Sequence, residues 1–184
     1  NTGEIADRLR PGDVFCHCFS GTGNTILGED NKISEKIIKA KERGVIFDAA
    51  NGMSHYCHEV AEAAVSQGFI PDIISTDLVS YSFNTSKRAR SLPHLMSKYL
   101  GLGLDLNTII KSVTETPAKI MKMDGTIGTL EAGAAADVAI MKIVDKKVLF
   151  EDINNTYREY NKLFVPQMTI CDGVVVYCCP EFNV

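Results

Sequence analysis

The chain has 184 residues, of which 45% are hydrophobic and 23% charged, and its formal net charge is -4. This composition predicts a globular protein with a core and excludes an intrinsically disordered segment. Lysine and arginine are scattered among acidic residues, so no nucleic-acid surface is expected. No apolar run reaches the roughly 20 residues of a membrane-spanning helix, and no signal-peptide pattern opens the chain, which predicts a cytoplasmic protein without membrane contact.

Three short apolar runs start about 30 residues apart, the length of one strand-helix unit. They occupy residues 14–19, 45–49 and 73–76. Between the first two, Ser34 can cap a helix over residues 35–43 that ends at Gly44. Between the second and third, an apolar face over residues 60–65 precedes Gly68. Alternating strands and helices predict parallel pairing with right-handed crossovers.

The pattern after the third run is helical. Residues 92–100 have apolar side chains at helical spacing, with Pro93 in the first turn. Asp105 can cap a second helix, which is expected to bury apolar positions including Leu106 and Ile110. A short third helix is predicted over residues 116–121, where a threonine precedes a proline.

The composition changes from residue 125 onward and predicts a β unit. Residues 126–143 have the pattern of short strands, and residues 168–178 that of a hairpin around Asp172-Gly173. The intervening residues 150–164 are polar and aromatic and are expected to run over the surface. A boundary near Met123 divides the chain into a first unit, 1–123, and a smaller β unit, 124–184.

Six cysteines in a chain without a secretion signal favour free thiols over a disulfide framework. Cys16 and Cys18 lie in the first predicted strand and are expected in the core. No Cys-x-x-Cys spacing supports a zinc knuckle. His55, Cys57 and His58 form the nearest approach to a metal-binding cluster, but a solvated first helical turn is favoured for them. The hypothesis of a thiol-based redox or metal-storage protein is supported only by the number of cysteines.

Each of the three predicted strands ends in a polar residue followed by turn residues. These are His17, Asn51 and Asp77. In a parallel barrel the carboxyl ends converge on one face, so the three side chains are expected in one cleft. An imidazole and a carboxylate can bind a divalent metal, and a carboxylate can also act as a general base. The alternatives are a core histidine and a capping aspartate.

The loop Gly21-Thr22-Gly23-Asn24 after the first strand could be taken for a phosphate-binding loop. A dinucleotide fingerprint needs a third glycine where the chain has Ile26, and a Gly-Lys-Ser/Thr motif is absent. A connecting loop is therefore favoured.

Five segments together resemble the C-terminal part of amidohydrolase-superfamily enzymes, in the branch of dihydroorotase-like amidohydrolases and deacetylases. They read LRPGDVFCHCFSG, GVIFDAANG, IPDIISTDL, TPAKIM and IGTLEAGAAADVAI. The resemblance implies a (β/α)8 barrel with one or two divalent metals, usually zinc, and a small β-sandwich built from both chain ends. It implies that His17 is the metal ligand after strand six, and that Asp77, after strand eight, binds metal and moves protons. Asn51 and Gly52, after strand seven, are expected to contact substrate, although relatives often have histidine at position 51.

The chain departs from the family pattern in ways that indicate a partial barrel. The His-x-His motif, the carboxylated lysine and the histidine after strand five have no counterparts. A complete barrel takes about 250 residues, so the predicted fold is α/β, with strands six to eight of a TIM-type barrel followed by a β-sandwich segment. Exposed strand edges would require a missing N-terminal half, a complementing chain or homo-oligomerisation.

Two functional hypotheses follow. In the first, the parent protein is a metal-dependent amidohydrolase, of deacetylase or cyclic-amidase type, that hydrolyses a C–N amide bond of a small molecule. In the second, this chain alone is a catalytically incompetent fragment or a binding or assembly domain that needs a complementing chain and holds no metal, because two protein ligands rarely hold zinc tightly. The substrate is not predicted, since the loop at residues 80–90 offers only generic polar contacts.

Overall fold

The structure, a computed structural model, describes residues 1–82 and 88–182, so the middle of the loop at residues 80–90 lies outside the described residues. The helices within these ranges are α1 Thr2–Arg8, α2 Glu35–Glu42, α3 His58–Ser66, α4 Leu92–Gly101, α5 Leu106–Val113 and α6 Glu115–Ile120. The strands are β1 Val14–Phe15, β2 Ile46–Phe47, β3 Val138–Glu151, β4 Tyr157–Cys171 and β5 Val174–Cys178. None of the helices in these ranges is both long enough and apolar enough to cross a membrane.

The first half of the chain contains the predicted parallel pairing. β1 pairs with β2 in parallel, and Asp48 forms a parallel bridge with Ile73 in the third run. Backbone hydrogen bonds continue this pairing as far as Gly52, whose N–H donates to the Thr76 carbonyl at 3.0 Å. β1 is shorter than predicted because His17 adopts a φ of 61°, which takes the backbone out of the extended conformation.

The predicted helices form close to the expected positions. The Asp105 carboxylate caps α5 by accepting from the Thr108 N–H at 3.0 Å, and Ser91 caps α4. The expected burial on α5 is partly wrong. Ile109 is fully buried, but Leu106 and Ile110 are 45% and 40% exposed. They line a cavity of about 520 Å³ between α4, α5 and β3.

The second half is an antiparallel sheet in the order β3-β4-β5. The predicted hairpin is confirmed, since Asp172 and Gly173 both have positive φ values, 48° and 76°, as a two-residue hairpin turn requires. Two predictions for this half are wrong. Residues 126–137 contain no strand. Residues 150–151 end β3 and residues 157–164 belong to β4, with a turn between them, rather than forming a surface excursion, and Phe150 is fully buried.

The sheet packs directly against the helices of the first half. The Phe164 N–H on β4 donates to Ser97 Oγ on α4 at 2.9 Å. The carboxylate of Asp152, just after β3, accepts from the His58 N–H at the start of α3 at 3.0 Å, and Ile153 N–H donates to the Tyr56 carbonyl at 3.0 Å. The antiparallel sheet, with the turn after β3, therefore packs against α4 and the start of α3. The boundary near Met123 stays a prediction.

Candidate metal centre

His17 and Asp77 lie at the carboxyl ends of neighbouring parallel segments. His17 follows β1 and is half-buried, whereas Asp77 follows the third run and is exposed. Both have positive φ values, 61° and 49°. This left-handed conformation is unfavourable for residues other than glycine and is found disproportionately at functional sites. It turns both side chains toward the same edge of the sheet.

His55 joins these two residues from the turn between β2 and α3. Its ring stacks on that of His17, with 3.8 Å between the ring centroids and 21° between the planes. One donor atom from each of His17, His55 and Asp77 can be chosen so that all three lie within 4.8 Å of one another. A solvated first helical turn is the prediction for His55, Cys57 and His58. That prediction is wrong, because Cys57 and His58 are buried and His55 belongs to this cluster.

The hydrogen bond of His17 defines which of its nitrogens can bind a metal. Nδ1 lies 2.8 Å from the Ala50 carbonyl oxygen. Because a carbonyl only accepts hydrogen bonds, Nδ1 carries a proton, which leaves Nε2 as the nitrogen whose lone pair is available for a metal in the neutral ring. Desolvation, together with the nearby His17, lowers the pKa of His55, which favours the neutral form that can act as a ligand. Two imidazole nitrogens and a carboxylate match the three protein ligands of a catalytic divalent-metal site such as zinc.

Asp48 is a further acidic residue behind this cluster that sequence reasoning missed. Its carboxylate accepts hydrogen bonds from Ser75 Oγ, at 2.9 and 2.8 Å, and from the Ala50 N–H at 3.0 Å. Burial raises the pKa of Asp48. The carboxylate joins the end of β2 to the third run and holds the residue whose carbonyl contacts His17. An aspartate directly after an apolar run was the available sequence signal.

Gly52 lies against the carboxylate of Asp77. A Cβ atom at position 52 would be 2.3 Å from Asp77 Oδ2, and Gly52 has a φ of 52°. Both facts require glycine here. The absence of a side chain leaves room for the Asp77 carboxylate at the edge of the sheet.

The structure does not bring the Asn51 side chain to this cluster. Asn51 is fully buried, its Nδ2 donates to the Tyr99 hydroxyl at 2.9 Å, and its Oδ1 accepts from Lys98 Nζ at 3.1 Å. Both amide atoms are therefore engaged within the protein, and the substrate contact of Asn51 stays a prediction.

The prediction that Cys16 and Cys18 are both core residues is half wrong. Cys18 is buried, but Cys16 is exposed. The strand alternation on which the prediction rested ends at Phe15, one residue before Cys16.

The chain belongs to the amidohydrolase family, whose sequence model matches residues 24–176. It is 32% identical to a deacetylase of Brucella anthropi over 91% of this chain and 41% of the relative. It is 30% identical to a deacetylase of Agrobacterium fabrum over 91% of this chain and 40% of the relative. The chain thus spans less than half the length of these curated relatives.

Two solved structures agree with this family assignment. A crystal structure of an adenine deaminase matches 96% of this chain and 48% of that protein, with a TM-score of 0.90 and 32% identity. A crystal structure of a dihydroorotase matches 97% of this chain and 47% of that protein, with a TM-score of 0.82 and 29% identity. The fold of the chain is therefore part of the TIM-barrel fold of amidohydrolases.

Proposed function

We propose that this chain is the C-terminal portion of a metal-dependent amidohydrolase that hydrolyses a C–N amide bond of a small molecule, as a deacetylase or a cyclic amidase. Residues 1–123 would supply strands six to eight of the barrel, and residues 124–184 a segment of the small β-sandwich. The observation that carries the proposal is the approach of donor atoms of His17, His55 and Asp77 to within 4.8 Å of one another. Family membership and the deacetylase relatives support it.

The three donors have distinct roles in this proposal. His17 would hold a divalent metal, proposed to be zinc, through Nε2, because Nδ1 is held by the Ala50 carbonyl. His55 would supply a second nitrogen, and Asp77 an oxygen. The metal, when bound, polarises the substrate carbonyl and lowers the pKa of water.

Asp77 is also the residue proposed to move protons. Its carboxylate is exposed at the edge of the sheet and is given space by Gly52. It would accept a proton from the attacking water and return it to the leaving nitrogen, the two-way role of a carboxylate general base. Substrate would approach over the backbone of Gly52, since the Asn51 side chain is buried.

The test uses the complete reading frame that contains this chain, assayed on N-acetylated small molecules and cyclic amides. Asp77→Asn is expected to lower turnover by about 10²–10⁴-fold, the usual contribution of a positioned general base. Asp124→Asn, at an exposed position, is the matched control and should keep wild-type turnover. Turnover of Asp77→Asn within a few-fold of wild type would refute the assignment of the base.

A second candidate function is that of a domain that needs a complementing chain. It is favoured by β5, an edge strand on which Val174, Val175, Val176 and Tyr177 are between 47% and 64% exposed. An apolar edge strand of this kind is a surface for pairing with another strand. The purified 184-residue chain should then form oligomers in light scattering and show no hydrolysis. A monomer that holds stoichiometric zinc or manganese and hydrolyses amides would contradict this candidate.

A further inference from the structure

Lys98 is fully buried on α4. Its Nζ donates hydrogen bonds to Asn51 Oδ1 at 3.1 Å and to the Arg88 carbonyl at 3.3 Å, and it lies 3.8 Å from the centre of the Tyr56 ring. Within residues 1–82 and 88–182, no carboxylate forms an ion pair with it. Burial lowers the pKa of Lys98 to about 7. A buried lysine without an ion pair costs free energy of folding, so its contacts call for an explanation other than stability.

The contact of Lys98 with Asn51 holds the turn that begins at residue 50, and this turn contacts His17 and Asp77. The Asn51 amide is held by two consecutive residues of α4, because its Oδ1 accepts from Lys98 and its Nδ2 donates to the Tyr99 hydroxyl at 2.9 Å. Asn51 lies between Ala50 and Gly52, which have positive φ values of 33° and 52°. Gly52 adopts its positive φ without strain, but Ala50 does not, so this turn keeps its shape only if its surroundings hold it.

Both neighbours of Asn51 contact the donor residues directly. The Ala50 carbonyl accepts from His17 Nδ1 at 2.8 Å. Gly52 lies against the Asp77 carboxylate, which a Cβ at this position would approach to 2.3 Å. A movement of the Asn51 amide would therefore be felt by both His17 and Asp77.

The Lys98 ammonium group also contacts the other end of this turn, at Tyr56. Tyr56, whose ring lies under Lys98 Nζ, is fixed in the core and directly follows His55 in the chain. Between these ends, the Arg88 guanidinium donates to the Met53 carbonyl at 2.7 Å. One buried side chain on α4 thus contacts the turn at Asn51 and at Tyr56, on either side of the segment that carries His55.

We propose that Lys98 is a positioning residue, which fixes the turn at residues 50–56 and, through it, the tautomer of His17 and the placement of His55 and Asp77. The consequence for metal binding rests on the proposed function, whereas the consequence for the His17 tautomer does not. Residues that orient metal ligands from behind typically change metal affinity by about 10–100-fold when they are replaced.

The test replaces Lys98 by methionine, a side chain of similar length without donors, and measures two quantities. The first is the tautomer of His17, read from ¹⁵N NMR of the metal-free 184-residue chain at pH 8. The second is the affinity for Co²⁺, followed by its visible absorption. Lys98→Met should convert His17 from a single Nδ1–H tautomer to a mixture and weaken Co²⁺ binding by about 10–100-fold. Lys111→Met, on the exposed face of α5, is the control and should change neither.

Tyr99→Phe removes only the hydroxyl that accepts from Asn51, and it decides the question if Lys98→Met does not fold. It should shift the same two quantities in the same direction. The double variant should lose little more than Lys98→Met alone, because both changes release the same amide. A folded Lys98→Met or Tyr99→Phe protein with the wild-type tautomer would overturn the proposal. A changed tautomer in a chain that binds no Co²⁺ would support the positioning role and would show that His17, His55 and Asp77 do not hold a metal without the rest of the barrel.

Discussion

His94 on α4 should make the folded protein sensitive to mild acid. Its side chain is only 7% exposed, its ring lies 4.7 Å from that of Phe150, and neither ring nitrogen has a hydrogen-bond partner among the described residues. Burial, with the nearby positive charges of Lys98 and Arg90, lowers the pKa of His94 from 6.5 to about 4. Because the unfolded chain takes up a proton below about pH 6.5 and the folded protein does so only near pH 4, stability falls as the pH drops through this interval.

A shift of this size corresponds to about 3 kcal/mol of unfolding free energy between pH 6.5 and pH 4. His94→Leu, a change of similar volume, should remove this loss and should be at least as stable as wild type at pH 7, since it also removes two unpaired buried nitrogens. The assay is urea unfolding followed by circular dichroism at intervals from pH 7.5 to 4.5. His58, whose pKa burial also lowers, contributes to both proteins, so the difference between the two curves isolates His94. Parallel loss of stability in wild type and variant would refute the reasoning.

Three further predictions concern the site and its support. Gly52→Ala should weaken Co²⁺ binding at least tenfold, because the added Cβ would displace Asp77 Oδ2, which would lie 2.3 Å away. Gly12→Ala is the control, since Gly12 also has a positive φ, 85°, but has open space around it, and it should leave Co²⁺ binding unchanged. Equal Co²⁺ affinities of the two variants would contradict this prediction. Asp152→Ala should lower the unfolding free energy in urea by about 3 kcal/mol, since its carboxylate accepts three backbone N–H groups, and a loss below about 1 kcal/mol would be inconsistent with that role. Under native conditions a thiol reagent should label Cys16 quickly and Cys18 slowly, in keeping with their exposure. Cys171 and Cys178 are exposed as well, so Cys16→Ser should reduce the amplitude of the fast phase without abolishing it, and an undiminished amplitude would contradict the prediction for Cys16.

The architecture could be predicted from the sequence wherever local chemistry and hydrophobic spacing agreed. The regular spacing of the apolar runs predicted parallel pairing, and Asp172-Gly173 predicted a hairpin turn, because each signal lies within a few neighbouring residues. The predictions failed where burial and strand length depend on tertiary contacts or on backbone conformation rather than on local sequence. Phe150 lies in a polar segment, and its ring packs against that of His94 on α4, 56 positions away in the chain. Cys16 was misplaced because a left-handed residue at position 17 ends the strand early, which alternation cannot foresee.

The candidate site was predictable only in part for a related reason. His17 lies near the end of one apolar run and Asp77 follows another, and a parallel sheet places the ends of such runs side by side. His55 does not end a strand. It reaches the cluster because the turn after β2 folds back across the sheet edge, and that path depends on contacts of Asn51 and Tyr56 with α4. Sequence spacing does not contain this information.

The positive φ values at His17 and Asp77 have a consequence for engineering. Each such residue costs of the order of 1–3 kcal/mol that glycine would not. A library of variants screened for thermal stability alone should therefore become enriched in glycine at positions 17 and 77. The most stable variants would then lack the imidazole and the carboxylate proposed to bind metal. Selection for thermal stability would then oppose selection for metal binding at these two positions. Screening for both properties at once would favour stabilising changes elsewhere, such as at His94.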